Sequence, residues 1–530
     1  MTEEGWLTTI VLYSNLAEAA AALLNPSFRR SPRMDLPARN LLIIMSDEHS
    51  PKALGCYGHP FVETPHLDRL AARGTRFSAA YCTSPVCIPA RASFAVGKYI
   101  HQMGYWDNAD AYDGAVPSWH HKLRDLDHSV VSVGKLHFRL ADEDHGFSEE
   151  IIPMHILEGK GDLMGLVRSD LPVRRGAYKM AGLAGPGESQ YTFYDREIAA
   201  RAQIWLREKA VERLKEQVAR HHERQPGKPW VLFVSLVCPH FPLTAPPQYF
   251  YRYYNRDLPL PKLYARAERP THPYLRDYAQ SFNYDDYFDE ISLKKALAGY
   301  YGLCSFLDDN VGLVLDALSA AGLADDTRVV YTSDHGDNLG TRGLWGKSTM
   351  FEETAGVPLI MAGPDIPAGK VIDTPVSHVD VYPFVLQAVG ENDPALTEGF
   401  PGVSLFDLAD GAVPDRNVLV EYHGMGSTTG AFMIRHGKYK YVYYVAYPSQ
   451  LFDLEADPDE VDDLGTDPNF RAVLAECHAR LLRICDPDDV ERRAKERQAE
   501  LLAASGGRDA VVARGDLGFT PAPGAAISFD

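Results

Sequence analysis

The chain has 530 residues, 45% hydrophobic and 24% charged, which is globular in composition and too long for one small domain. Its formal net charge of −19 argues against nucleic acid or an anionic membrane surface as partner, so local cations and a metal must attract any anionic substrate. No stretch is apolar enough to span a bilayer, and seven cysteines without the paired short spacing of a zinc site point to free thiols in a reducing, cytoplasmic setting.

Residues 1–39 read as an extension and linker. Residues 5–24 are Leu/Ala-rich, but Glu3 and Glu4 stand where a signal peptide would be basic. The segment suits an amphipathic helix or an upstream start ahead of Met34, with Arg29, Arg30 and Arg33 in the linker. The core begins at 40–46, an apolar run ending in Asp47 that has the form of a buried parallel strand. Residues 64–74 carry a helix start, a helical apolar period and a glycine stop. A strand at 128–133 leads into Gly134-Lys135-Leu136-His137. A long charged helix at 193–222 precedes a strand at 230–236, which ends near Cys238-Pro239-His240. A helix at 291–321 is followed by a strand at 328–333 running into Asp334-His335-Gly336-Asp337, then a strand at 357–362 and a helix at 378–389. Strands alternating with helices over 40–400 predict an α/β sandwich with a large, mostly parallel sheet. From 401 to 486, short strands at 417–422, 431–435 and 438–445 and a helix at 469–484 predict a smaller antiparallel sheet with one helix packed on it. The tail, 487–530, is charged and then Gly/Ala/Pro-rich. It reads as disordered or as wrapping a partner subunit in a homo-oligomer, a dimer or tetramer. The sequence shows no internal repeat.

Asp47, His240, Asp334 and His335 each fall at or just past the end of an apolar strand. In open α/β sheets the site forms beyond the carboxyl ends of the strands, so these residues are expected to meet. Cys87-Ile88-Pro89-Ala90-Arg91 adds a second element. Pro89 fits a first helical turn, which sets Cys87 at a helix entrance where free N–H groups favour an anion. Arg91, four residues on, shares its face, and its fixed charge suits sulfate or phosphate oxygens. Each segment alone is also compatible with an ordinary structural role: a buried cysteine, a capped turn or a solvated lysine.

Cys87-x-Pro89-x-Arg91 resembles the pentapeptide of the formylglycine-dependent sulfatases. Met45-Ser46-Asp47-Glu48-His49, Gly134-Lys135-Leu136-His137, Pro239-His240, Thr332-Ser333-Asp334-His335-Gly336-Asp337, Trp345-Gly346-Lys347 and the acidic segment 451–464 resemble further motifs of that family. The likeness covers about 40–464. It is greatest to the choline-sulfatase and phosphonate-monoester-hydrolase branch of the alkaline-phosphatase-like fold. The resemblance implies that a formylglycine-generating enzyme converts Cys87 to formylglycine, whose hydrate attacks the sulfur of a small anionic sulfate ester. It implies one divalent ion on Asp47, Cys87, Asp334 and His335, with Glu48 behind the ligands. Many members carry Asp-Asp and Asp-Asn where this chain has Asp47-Glu48 and Asp334-His335, and the imidazole shifts the choice from Ca²⁺ toward Mn²⁺. Arg91, Lys135 and Lys347 are then expected to hold the sulfate oxygens. His240, with Lys347, would protonate the leaving group, and His137 would take a proton from the second hydroxyl. Asn108 is expected to donate to a substrate oxygen. Lys135 and His137 would share a face if the strand runs through both. Tyr105, Trp106, Phe241 and Trp345 suggest an aromatic wall. A phosphonate monoester or phosphodiester hydrolase would use the same site.

Overall fold

Asn40–Asp47 (β1) has every side chain from Leu41 to Asp47 buried, because it lies in the middle of a sheet covered on both faces. The computed structural model describes residues 36–219, 227–411, 413, 415–515 and 518–525; the expected N-terminal helix and the Arg29–Arg33 linker lie outside them. The main sheet also contains Gly74–Phe77 (β2), Val130–Lys135 (β3), Glu149–Met154 (β4), Val231–Pro239 (β5), Thr327–Ser333 (β6), Leu359–Ala362 (β7) and Lys370–Ile372 (β8). The eight strands lie in the order β8-β2-β7-β6-β1-β5-β3-β4. From β6 to β4 all neighbours are parallel, and β7 runs against both its partners.

Alternation along β1 divides the core. Leu42 and Ile44 join one apolar cluster with Ile198, Trp205, Leu297 and Val311, from the long helices Gln190–Ala219 and Glu290–Ala320. Leu41, Ile43 and Met45 join the opposite cluster with Phe94, Val381 and Phe384. Full burial of such a side chain contributes about 1.5–3 kcal/mol, so a one-residue slip, which exchanges the two sets, is strongly disfavoured. This is the mostly parallel α/β sandwich expected from the sequence.

Asn417–Tyr422 (β9), Ala431–His436 (β10), Tyr439–Tyr444 (β11) and Gln450–Asp453 (β12) form a separate antiparallel sheet in sequential order. Val418, Val420 and Met433 pack toward the second core cluster. Leu419, Phe432 and Ile434 on the other face cover Cys477 and Leu481 of the helix Arg471–Leu482.

Beyond Asp486 the structure differs from the sequence expectation. Pro487–Ala504 and Gly507–Arg514 are helices, not disordered chain. Asp486 caps the first by accepting from Asp488 N. Val490 and Ala494 are buried in the cluster under the small sheet. Among the described residues no helix is long and apolar enough to cross a membrane.

Candidate functional site

Register brings the strand ends together. Ser46 lies opposite Ser333 on one side of β1, and Asp47 opposite Pro239 on the other. Asp47, Asp334 and His240 therefore leave the sheet at nearly one level. Lys135 ends β3, which pairs with β5 through Gly134 and Ser235. Adding a Cβ to Gly134, at φ +100°, would bring it 2.3 Å from Ser235 O, so only glycine allows this approach.

The helix Cys87–Val96 (α1) starts at these strand ends and is wholly buried. Val86, before it, has no capping side chain; Asn108 Oδ1 instead accepts from Ile88 N at 3.1 Å. Asn108 thus serves the helix that carries Cys87 and also lines the adjoining cavity. Gly97 ends the helix at φ +73°, where a Cβ would lie 2.5 Å from that of Tyr382.

Cys87 Sγ lies 3.1 Å from His335 Nε2, 3.1 Å from Lys347 Nζ and 3.6 Å from Asp47 Oδ1. Asp47, Cys87, Asp334 and His335 are all buried, with one donor atom of each within 4.8 Å of the others. This donor set fits a divalent cation. His335 Nδ1 is 2.9 Å from Gly336 O and so carries the ring proton, which turns a bare Nε2 to the cluster. Asp334 Oδ1 accepts from Glu48 N and His335 N at 3.1 and 2.9 Å. Burial acts to raise the Asp47 carboxyl, but the charges of Lys135 and Arg91 outweigh it and hold the group well below the carboxylate range. Burial, then the Asp47 charge, pushes the Cys87 thiol up to about 12. Glu48 Oε1 is buried without a partner, and burial pushes that carboxyl up to about 8.

The cations divide into two sets. Arg91 donates from Nε to Asp334 Oδ2 at 2.7 Å, from Nη2 to Asp47 Oδ2 at 3.2 Å, and from Nη1 to Lys135 O and Ser235 Oγ, both at 2.9 Å. Lys135 Nζ sits 2.5 Å from Asp47 Oδ2. Both cations are spent on the acidic side of the cluster. Neither lines the cavity, whereas Lys347, His137 and His240 do. Lys347 Nζ is 2.8 Å from His240 Nε2 and 3.3 Å from Glu48 Oε2. Burial opposes the charge on Lys347, but residue 87, Glu48 and Asp47 outweigh it and raise the ammonium well above its usual range. His240 Nδ1 lies 2.7 Å from Phe241 O and donates to it. Burial and Lys347 lower the His240 imidazole well below its usual range, so Nε2 accepts from Lys347.

His137 does not continue β3. The strand stops at Lys135, and His137 has φ +62°, so strand alternation does not set the two side chains on one face. Its Nε2 shares a hydrogen bond of 2.7 Å with Thr520 Oγ1, and burial, then Lys135, lowers its pKa well below the usual range.

The cavity wall is aromatic, but not as expected. Phe241 lines it, joined by Tyr278, Phe282, Tyr284 and Phe519. Trp345 is fully buried and stacks on Phe288 at 4.5 Å. Trp106 packs edge-on to His423 at 5.3 Å, and Tyr105 against Tyr112 at 5.5 Å. The C-terminal stretch is the larger omission: Arg514, Gly515, Gly518, Phe519 and Thr520 all border the cavity. The signal for its supporting helix was legible, in Asp486 as cap, Pro487 and two acidic residues in the first turn.

The chain matches a family model described as Sulfatase over residues 39–391, and one described as N-sulphoglucosamine sulphohydrolase, C-terminal, over 340–486. It is 33% identical over 433 residues to choline-sulfatase of Rhizobium meliloti (strain 1021), covering 81% of this chain and 83% of that one. It is 26% identical over 483 residues to arylsulfatase K of Homo sapiens, covering 85% and 83%. The solved phosphonate monoester hydrolase of Agrobacterium radiobacter shares its fold at TM-score 0.65 and 21% identity, over 84% of this chain and 95% of that one.

Proposed function

The chain belongs to the sulfatase family, and from that premise we propose that it hydrolyses small anionic sulfate esters at residue 87, after conversion of Cys87 to formylglycine by a formylglycine-generating enzyme. One observation carries the reading: Cys87 Sγ, at a helix N-terminus, meets two carboxylates and an imidazole on one side and a charged lysine on the other. In the mature protein the hydrated aldehyde, with two hydroxyls, would stand where the sulfur is.

Asp47, Asp334, His335 and residue 87 would hold one divalent ion, Mn²⁺ or Ca²⁺; when bound it lowers the pKa of a hydroxyl and withdraws charge from sulfate oxygens. The remaining roles follow from where each side chain is tied. Arg91 and Lys135 keep the acidic ligands ionised and oriented. Lys347, whose ammonium meets residue 87, His240 and Glu48, stabilises charge growing on the ester and supplies the proton to the departing oxygen. Neutral His240 accepts from Lys347 and fixes its direction, so the donor role passes from the histidine to the lysine. His137, also neutral, would take a proton from a hydroxyl at residue 87, and Asn108 would donate from its amide to the bound ester.

We propose the division suggested by the sequence: an extension to 39, a catalytic domain over 40–400, a small α+β subdomain over 401–486 and a tail beyond. A reducing, cytoplasmic setting is supported by seven free cysteines. A homo-oligomer, dimer or tetramer, is supported by an exposed apolar stripe of Phe193, Ile204, Val211 and Leu214 along one helix.

The test is twofold. Protein from a host competent for the conversion should yield a residue-87 peptide lighter by the difference between H₂S and an oxygen atom, and Cys87→Ala should fold yet not turn over. Aryl sulfate is expected to be cleaved faster than an aryl phosphonate monoester or a phosphodiester at saturating Mn²⁺. The reverse order would make the chain a phosphonate monoester or phosphodiester hydrolase. Normal multiple turnover by Cys87→Ala would refute the nucleophile.

A further inference from the structure

We propose that His145, Glu150 and His155 form a second metal site, apart from the catalytic cluster, that takes a zinc-class divalent ion. Glu150 lies on the sheet's edge strand β4, His145 in the loop before it, and His155 just after its end. His145 Nδ1 is 2.9 Å from Glu150 Oε1, and His155 Nε2 is 3.3 Å from Glu150 Oε2. The imidazole rings face each other at 5.1 Å with a 30° tilt. One donor atom from each residue lies within 4.8 Å of the others. Tetrahedral zinc, with bonds of about 2.0–2.2 Å, sets its ligand atoms roughly 3.3 Å apart, and the two nitrogen–oxygen separations, 2.9 and 3.3 Å, are near that value.

Hydrogen bonding alone leaves this cluster incomplete. His145 Nε2 and His155 Nδ1 are buried with no hydrogen-bond partner, and His155 Nε2 meets only the Glu150 carboxylate, at 3.3 Å, though buried polar atoms are rarely left unpaired. The side chains of His145 and His155 are 0% and 9% exposed, and that of Glu150 19%. An ion can therefore enter past Glu150 and keep a water as its fourth ligand. A ligating imidazole usually has a carboxylate near its far nitrogen. Glu143 Oε2, 4.0 Å from His145 Nε2, stands in that place, and its other oxygen is held by Arg139. Two imidazoles with one carboxylate suit zinc better than calcium or magnesium, which prefer oxygen.

The site would act by position. Leu136 N and His137 N both donate to Met154 O, at 3.1 and 2.8 Å, and Ile156 N donates to Phe138 O at 3.0 Å. The ring of Phe138 lies 5.0 Å from that of His145. An ion on His155 would clamp the end of β4 to the turn that aims His137 into the cavity.

Zn²⁺ content after equilibration and gel filtration tests this, with Co²⁺ as the spectroscopic probe. Two equivalents of Zn²⁺ are expected in the wild type, one in Asp334→Asn and one in His155→Ala. Co²⁺ bound to Asp334→Asn should give an intense tetrahedral visible band, absent when His155→Ala is added. Glu150→Gln, close to isosteric, gives the same readout should His155→Ala fail to fold. Zn²⁺ content equal to wild type in a folded His155→Ala or Glu150→Gln protein, or no such Co²⁺ band in Asp334→Asn, would overturn the site.

Discussion

Arg91 donates to Asp334 across 2.7 Å, with both side chains buried. This pair sits beside the Cys87 cluster, not in the cavity, and the same guanidinium also reaches Asp47, Ser235 and the Lys135 carbonyl. Arg91→Ala would leave two buried carboxylates short of a counter-charge. Removing one partner of a buried pair costs about 3–5 kcal/mol, so the variant should lose melting temperature, metal affinity and turnover together. Arg91→Lys should recover little, because one ammonium cannot span four acceptors in a plane. A variant with wild-type metal content and a selective loss of substrate affinity would instead return Arg91 to the sulfate oxygens.

Lys347 and His240 make a separable prediction. If the lysine supplies the leaving-group proton, Lys347→Ala should slow esters of poorly acidic alcohols by about 10²–10⁴, the usual scale of general acid catalysis. Esters of acidic phenols, which leave without help, should suffer less. His240→Ala should show the same pattern more weakly, since it removes the lysine's guide and not the proton. Rates measured against leaving-group acidity decide: an equal loss for every leaving group in Lys347→Ala would reduce the lysine to charge stabilisation.

The site was legible where chemistry coincides with the end of an apolar strand. Asp47 ends β1, His240 and Asp334 follow β5 and β6, and parallel register then brings them to one edge. What side chains do once there was not legible. Arg91 shares a helical face with Cys87 on spacing alone, but its direction is set by Asp47 and Asp334, which are distant in sequence. Leu136-His137 carries no glycine or proline to mark a stop, so the sequence leaves open whether β3 runs through His137; it ends at Lys135, and His137 adopts φ +62°. The cavity's C-terminal border was missed because a Gly/Ala/Pro-rich stretch has no periodicity, and its contacts are made to residues more than 300 positions away.

Asp195 links the long helix to the strand that delivers His240. It accepts from Val237 N and Cys238 N at 2.7 and 2.8 Å. Burial pushes its carboxyl up to about 6 against the lowering effect of those two bonds. A raised folded pKa means the native state holds its proton longer than the unfolded chain. The stability from this group is therefore full below about pH 4 and declines as pH rises to about 6, by roughly 3 kcal/mol over two pKa units. Asp195→Asn should be destabilised at low pH, where its amide faces two N–H donors, and should lack that decline. Apparent melting temperatures between pH 4 and 7 test it; parallel pH profiles for the two proteins would rule the group out.

The C-terminal stretch closes the cavity over His137. Thr520 Oγ1 bonds His137 Nε2, Tyr191 donates from its hydroxyl to Thr520 O at 2.5 Å, and Ala522 N donates to Gln190 Oε1 at 2.7 Å. Phe519 packs edge-on to Tyr191 and Phe241 at 5.5 and 5.8 Å. Thr520→Val keeps this shape and removes one hydrogen bond, worth about 0.5–1.5 kcal/mol, so kcat should fall by up to about tenfold with KM little changed. A chain ending at Arg514 keeps both tail helices but loses Phe519 as a wall, so KM should rise most for esters whose organic part is large and apolar. The two variants thus separate a hold on His137 from a hold on substrate. A truncated protein with wild-type KM for such esters would show that the stretch covers the cavity without touching what binds there.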